Sequence, residues 1–132
     1  MMKSLLRSPK ELGYASVVWH DSKAFPEVRF AVRRPSLGQR IELTGRVREL
    51  MAQHEFLKAG DSEDQLTAAL SELLVKRLYL EWGLTALRGI SIDGEPASIR
   101  TLIECGPEKL TDEIAEAVIR EASLTEDERK NS

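Results

Sequence analysis

Three side chains in this sequence have the chemistry of a nucleophile or a base: Cys105, His20 and His54. A thiol acts as a nucleophile only with a base in reach, and neither histidine is near Cys105 in sequence, so the fold would have to assemble the pair. Neither histidine stands three or four residues from a second His or Cys, the spacing that a helix-borne zinc site requires. Plainer readings exist for all three. His54 falls on an apolar helical stripe, where histidine commonly serves as half-buried packing. Cys105 directly precedes Gly106 at a helix end, where it behaves as a small hydrophobe. Carboxylates are plentiful, but in runs such as TDEIAE they fall on a solvent face, and the pair Asp112 and Glu116 reads as solvated surface. No phosphate loop of the form G-x-x-x-x-G-K-[ST] is present, and no G-x-G-x-x-G follows a strand. The expectation is a protein that is not an enzyme, with no catalytic, cofactor-binding or metal-binding residues.

The cations are more suggestive. Arg29, Arg33, Arg34, Arg40, Arg46 and Arg48 crowd into one part of the chain and could line an anion-binding surface. The net charge of −3 conceals an uneven split. Residues 1–60 hold 11 Lys+Arg against 6 Asp+Glu, whereas residues 61–132 hold 8 against 16. A basic half and an acidic half attract each other, within one chain or between copies, so the composition leaves room for a homo-oligomer. Nucleic acid is the weaker reading, because the chain is acidic overall, has few aromatics between its arginines and lacks a helix-turn-helix pattern. The plain alternative is a set of solvated faces with uneven composition.

These residues must be positioned by a single domain, given 132 residues of which 42% are hydrophobic. Residues 1–13 read as a basic lead-in without a long apolar stretch, so no signal peptide is expected. YASVVW (Tyr14 to Trp19) and EVRFAVRR (Glu27 to Arg34) have strand character, and the second alternates Val28, Phe30 and Val32 against Arg29, Ala31 and Arg33. They predict a β-hairpin over 14–34 with one greasy and one basic face. A lone hairpin is marginal in water, so it must pack on a helix or extend another sheet.

A helical body over 36–123 follows. Ser36 is the cap of a first helix whose apolar stripe is Leu43, Val47, Leu50, Met51, His54 and Leu57. Gly38 and Gly45 predict a late start or a bend, and Gly60 an end. A second helix is capped by Asp61 or Ser62. It carries Leu66, Leu70, Leu73, Leu74 and Leu78 on one stripe and Val75, Tyr79 and Trp82 on another, which predicts a central helix touching two neighbours. Asp93-Gly94 is a tight-turn signal, and Pro96 is expected to open a short helix that Gly106 closes. After Pro107, Leu110, Ile114, Val118 and Ala122 share one face of a last helix. Residues 124–132 form a charged tail. The fold class is therefore α+β and mostly α-helical, with an N-terminal β-hairpin packed on a bundle of four to five helices. Arg29, Arg33, Arg34, Tyr79 and Trp82 are the candidate partner-binding residues, although large aromatics in so aromatic-poor a chain are usually needed for its core.

The order of features in the C-terminal part resembles a known family. A Leu-rich helix ending in Trp82-Gly83 leads through a short link to IDGEP (Ile92 to Pro96), a short helix, Pro107, an acidic amphipathic helix and the close EDERKNS. This is similar to the small tail assembly chaperones of long-tailed bacteriophages. Trp19, Phe30, Val32, Arg33 and Arg34 resemble that family's opening strand pair, and the likeness covers most of residues 14–132. Here the tryptophan precedes its glycine, whereas the family pattern more often has the glycine first. The resemblance implies a non-catalytic role without cofactors in the cytoplasm of a bacterial host. The expected partners are the tape measure protein, which is kept soluble, and the tail tube protein, whose subunits are recruited. No membrane association and no place in the finished virion are expected.

Overall fold

The computed structural model describes residues 10–58 and 64–124. Gly60, Asp61 and Ser62, most of the lead-in and nearly all of the charged tail lie outside them. The elements in chain order are β1 (Val17–Asp21), β2 (Arg29–Arg33), α1 (Leu37–Lys58), α2 (Asp64–Gly83), β3 (Leu84–Arg88), β4 (Ser91–Ile92), β5 (Glu95–Pro96), α3 (Ile99–Cys105) and α4 (Glu108–Ser123). The fold is α+β and mostly helical.

The hairpin forms, but it is two strands of a three-stranded antiparallel sheet in the order β1-β2-β3. Leu84–Arg88 follows α2 without a loop and pairs with β2, setting Arg29 opposite Arg88 and Ala31 opposite Ala86. One face of the sheet is buried through Val28, Phe30 and Val32, as the alternation predicts. These side chains meet Leu102, Leu110, Ile114 and Val118 in a single core. The last helix buries the face expected of it, and its Ile114 and Val118 pack between the sheet and α2.

Three local expectations are corrected. First, α1 starts at Leu37 despite Gly38, because Ser36 and Gln39 cap it reciprocally: the Gln39 amide donates to Ser36 Oγ at 3.2 Å and the Ser36 amide to Gln39 Oε1 at 2.9 Å. Second, Pro96 ends β5 and opens no helix. Asp93 and Gly94 both take positive φ, 52° and 83°, which closes a two-residue hairpin between β4 and β5. Ser98 then caps α3 in a box with Thr101. Third, Glu113 in TDEIAE is half-buried and bonded across the molecule. Its carboxylate accepts from the Ser22 hydroxyl and the Lys23 amide, both at 2.6 Å. That contact fastens the β1–β2 loop to α4.

The Trp82-Gly83 step is fixed by packing. A Cβ on Gly83 would lie 2.3 Å from Val118 Cγ1, so only glycine lets α2 end against α4. One turn further along α4, the Arg40 guanidinium donates to the carbonyls of Ala122 and Leu124, and so joins the first turns of α1 to the helix C-terminus.

Candidate partner-binding site

The five candidate residues do not form one site. Trp82 is 3% exposed and belongs to the core. Arg33 is tied to it, because its Nε donates to the Trp82 carbonyl at 2.9 Å and its guanidinium lies 5.5 Å from the ring centroid. Arg34 donates to the Ala15 carbonyl and covers the Tyr14 ring. These two cations therefore hold backbone and aromatic groups of their own chain. Tyr79 is half-buried between α2 and α4. Arg29 alone of the five stands on an open surface, ion-paired with Asp21 at 3.0 Å.

That open surface is the outer face of the sheet. Pairing places Trp19, Ala31 and Ala86 in one row and Asp21, Arg29 and Arg88 in the next. Trp19 remains 36% exposed, with the Arg29 and Arg88 guanidinium carbons 5.1 and 4.9 Å from its ring centroid. Ala31, a member of the Trp19 row, is itself buried, so the face is less uniformly basic than the alternation suggests. Arg88 and Trp19 were missed as site residues. Arg88 reaches the surface through β3, which the sequence reads as a link.

A second surface lies on α2. The helix touches α1, α3 and α4, as a central helix should, but its leucine stripe is only partly covered. Leu78 is buried, whereas Leu66, Leu70 and Leu73 are 67%, 49% and 51% exposed. They recur every three or four residues along one helical face. Leu73 also lines a groove of about 400 Å³ between α2 and α3, where Leu74, Leu80 and Ile103 give an apolar floor and Lys76, Glu104 and Glu108 a charged rim. The stripe and the groove make one apolar track.

The nucleophile and bases lie on separate elements. Cys105 is exposed at the end of α3. His54 is buried in α1 and donates from Nδ1 to the Leu50 carbonyl at 2.9 Å. His20 stacks on Phe30 under the sheet, with ring centroids 5.3 Å apart and, among the described residues, no hydrogen-bond partner for its Nε2. Burial holds the His20 pKa below its ordinary value, outweighing the nearby Glu121 carboxylate, which raises it. Burial pushes the Glu113 carboxyl up, but hydrogen bonds from Ser22, Lys23 and Ala24 together outweigh it and hold the group below the usual carboxylate range. Among the described residues, no group of three or more His, Cys, Asp or Glu is placed to hold a metal ion, and no helix is long and apolar enough to cross a membrane.

Compared with known proteins, the chain matches no family model, no curated sequence and no solved structure.

Proposed function

We propose that this chain is a tail assembly chaperone of a long-tailed bacteriophage. In this reading it works in the host cytoplasm and binds the helical tape measure protein without any bond-making chemistry. The observation that carries the proposal is the uncovered leucine track, Leu66, Leu70 and Leu73, running into the groove beside Ile103. An amphipathic helix presents its own apolar side chains at the same spacing and can lie along such a track, hiding both surfaces from water. Burying three leucines on each side gives such a contact roughly 1.5–3 kcal/mol per fully covered side chain before the cost of association. The charged rim and the net charge of −3 keep the pair in solution.

Co-expression tests the proposal. With the tape measure protein of the same phage, the chain should move that protein from the pellet to the soluble fraction, and Leu70→Glu should abolish the effect. An equally insoluble tape measure protein with and without the chain would refute the assignment.

A second reading, a nucleic-acid-associated adaptor, draws on the Trp19, Arg29 and Arg88 face. An exposed aromatic between guanidinium groups on a sheet is a stacking platform for single-stranded bases. It predicts oligonucleotide binding that weakens steeply with salt. Arg33 and Arg34 add little to it, since both are engaged within their own chain.

A further inference from the structure

Two separate surfaces of the molecule each combine an apolar centre with flanking charges, and the charges are of opposite sign. One is the projection on the outer sheet face. Trp19 rises beside two small residues, Ala31 and Ala86, and is flanked by Arg29 and Arg88. Among the described residues Arg88 has no carboxylate partner, and Asp21, which pairs with Arg29, is itself largely exposed.

The other is a groove of about 320 Å³ between α2 and α4. Val75, Tyr79, Ala115 and Ile119 form its apolar floor, and Glu72, Asp112, Glu116 and Lys76 its rim. Lys76 is committed to Asp112. Glu72 and Glu116 are exposed and have no cation partner among the described residues. The groove therefore offers an oily floor between two carboxylates, and the projection offers an aromatic ring between two guanidinium groups.

The two cannot meet within one chain. α4 packs on the inner face of the sheet through Ile114 and Val118, whereas Trp19 is on the outer face. Contact requires a second copy. Because the two surfaces differ, the contact is heterologous and leaves a free projection at one end and a free groove at the other.

We propose that copies of this chain associate head to tail, Trp19 of one seated over Tyr79 and Ile119 of the next, with Arg29 and Arg88 facing Glu72 and Glu116. The opposite charges of Arg29 and Arg88 on one face and of Glu72 and Glu116 on the other supply the attraction. Tyr79 acquires a role at the surface that its half-buried position allows. The assembly does not depend on the tail-assembly reading, since any protein with these two faces would show it.

Sedimentation velocity of the full chain over a wide concentration range tests the proposal. The expected result is a sedimentation coefficient that climbs steadily with concentration without stopping at two copies, and that falls as salt is raised. Trp19→Ala should weaken association roughly thirtyfold, the effect of losing a central aromatic anchor. The decisive arm uses two exposed charge reversals. Arg29→Glu with Arg88→Glu, and separately Glu72→Lys with Glu116→Lys, should each be monomeric alone, and mixing them should restore assembly because each projection then meets an opposite charge. A chain that stays monomeric at every concentration would overturn the proposal. So would a dimer that saturates at two copies, or association unchanged by the reversals. Binding of a single-stranded deoxythymidine oligonucleotide by a monomer, lost in Trp19→Ala, would give the face to nucleic acid instead.

Discussion

The titrations of Glu113 and His20 both bear on stability, and they act in the same direction. The Glu113 pKa is depressed in the folded chain, so its stabilising effect is complete above the unfolded value of 4.5 and is lost as the pH falls below it. His20 also has a depressed pKa, but it is a base, so the folded state prefers its neutral form. That contribution is complete above 6.5 and fades as the pH drops below that value. Thermal unfolding should therefore show a midpoint that declines in two stages, first below 6.5 and then below 4.5. His20→Leu, which keeps the contact with Phe30, should remove the upper stage. Glu113→Gln should flatten the lower stage and cost about 1–3 kcal/mol near neutrality, the range for losing charged hydrogen bonds. A melting curve for either variant that tracks wild type at every pH would refute its part. Neither role was legible in the sequence. TDEIAE has the pattern of a solvent face, and Glu113 meets Ser22 from 91 positions away. By contrast, the burial of Val28, Phe30 and Val32 was legible, because a period of two needs no knowledge of distant partners.

Elements were readable where their signals are local. The Asp93-Gly94 turn, the α4 stripe and the strand character of β2 depend on neighbouring residues alone. β3 was missed for the opposite reason. LTALR is short, follows Gly83 without a turn, and becomes a strand only because β2 is there to pair with it. Pro96 misled because a proline suits the first turn of a helix and the edge of a two-residue ribbon equally well. The turn after β3 brings its backbone close against the β1–β2 loop. Gly89 has φ of 84°, and a Cβ there would stand 2.0 Å from the Glu27 carbonyl oxygen. Gly89→Ala should destabilise the fold by about 1–3 kcal/mol, the strain of a left-handed residue that nothing relieves, with further loss from the backbone clash. Chemical denaturation would measure it, and a variant as stable as wild type would mean that the strand end shifts freely. Such a shift would also move Arg88 away from Trp19, so the intrinsic fluorescence of the variant reports on the same event.

Across the whole molecule, apolar side chains divide into those the fold consumes and those it leaves over. Leu102, Leu110, Ile114 and Val118 are sealed between the sheet and the helices, while Leu66, Leu70 and Leu73 on α2 stay in water. Helical periodicity finds both groups and cannot separate them, because a stripe awaiting a partner has the same spacing as one already covered. Mutation can separate them. Leu102→Ala should cost about 2–5 kcal/mol, the usual range for emptying a core site. A triple change of Leu66, Leu70 and Leu73 to Lys should leave stability within about 1.5 kcal/mol of wild type, since isolated surface substitutions seldom exceed 0.5 kcal/mol each. The same triple variant should lose the capacity to hold a helical client in solution, because it sets ammonium groups where the client's apolar face would lie. Unfolding midpoints and a client sedimentation assay, run side by side on the two variants, give opposite patterns if the leucine track exists for another chain. If the triple variant unfolds as readily as Leu102→Ala, those leucines belong to the fold and the binding surface must be sought elsewhere.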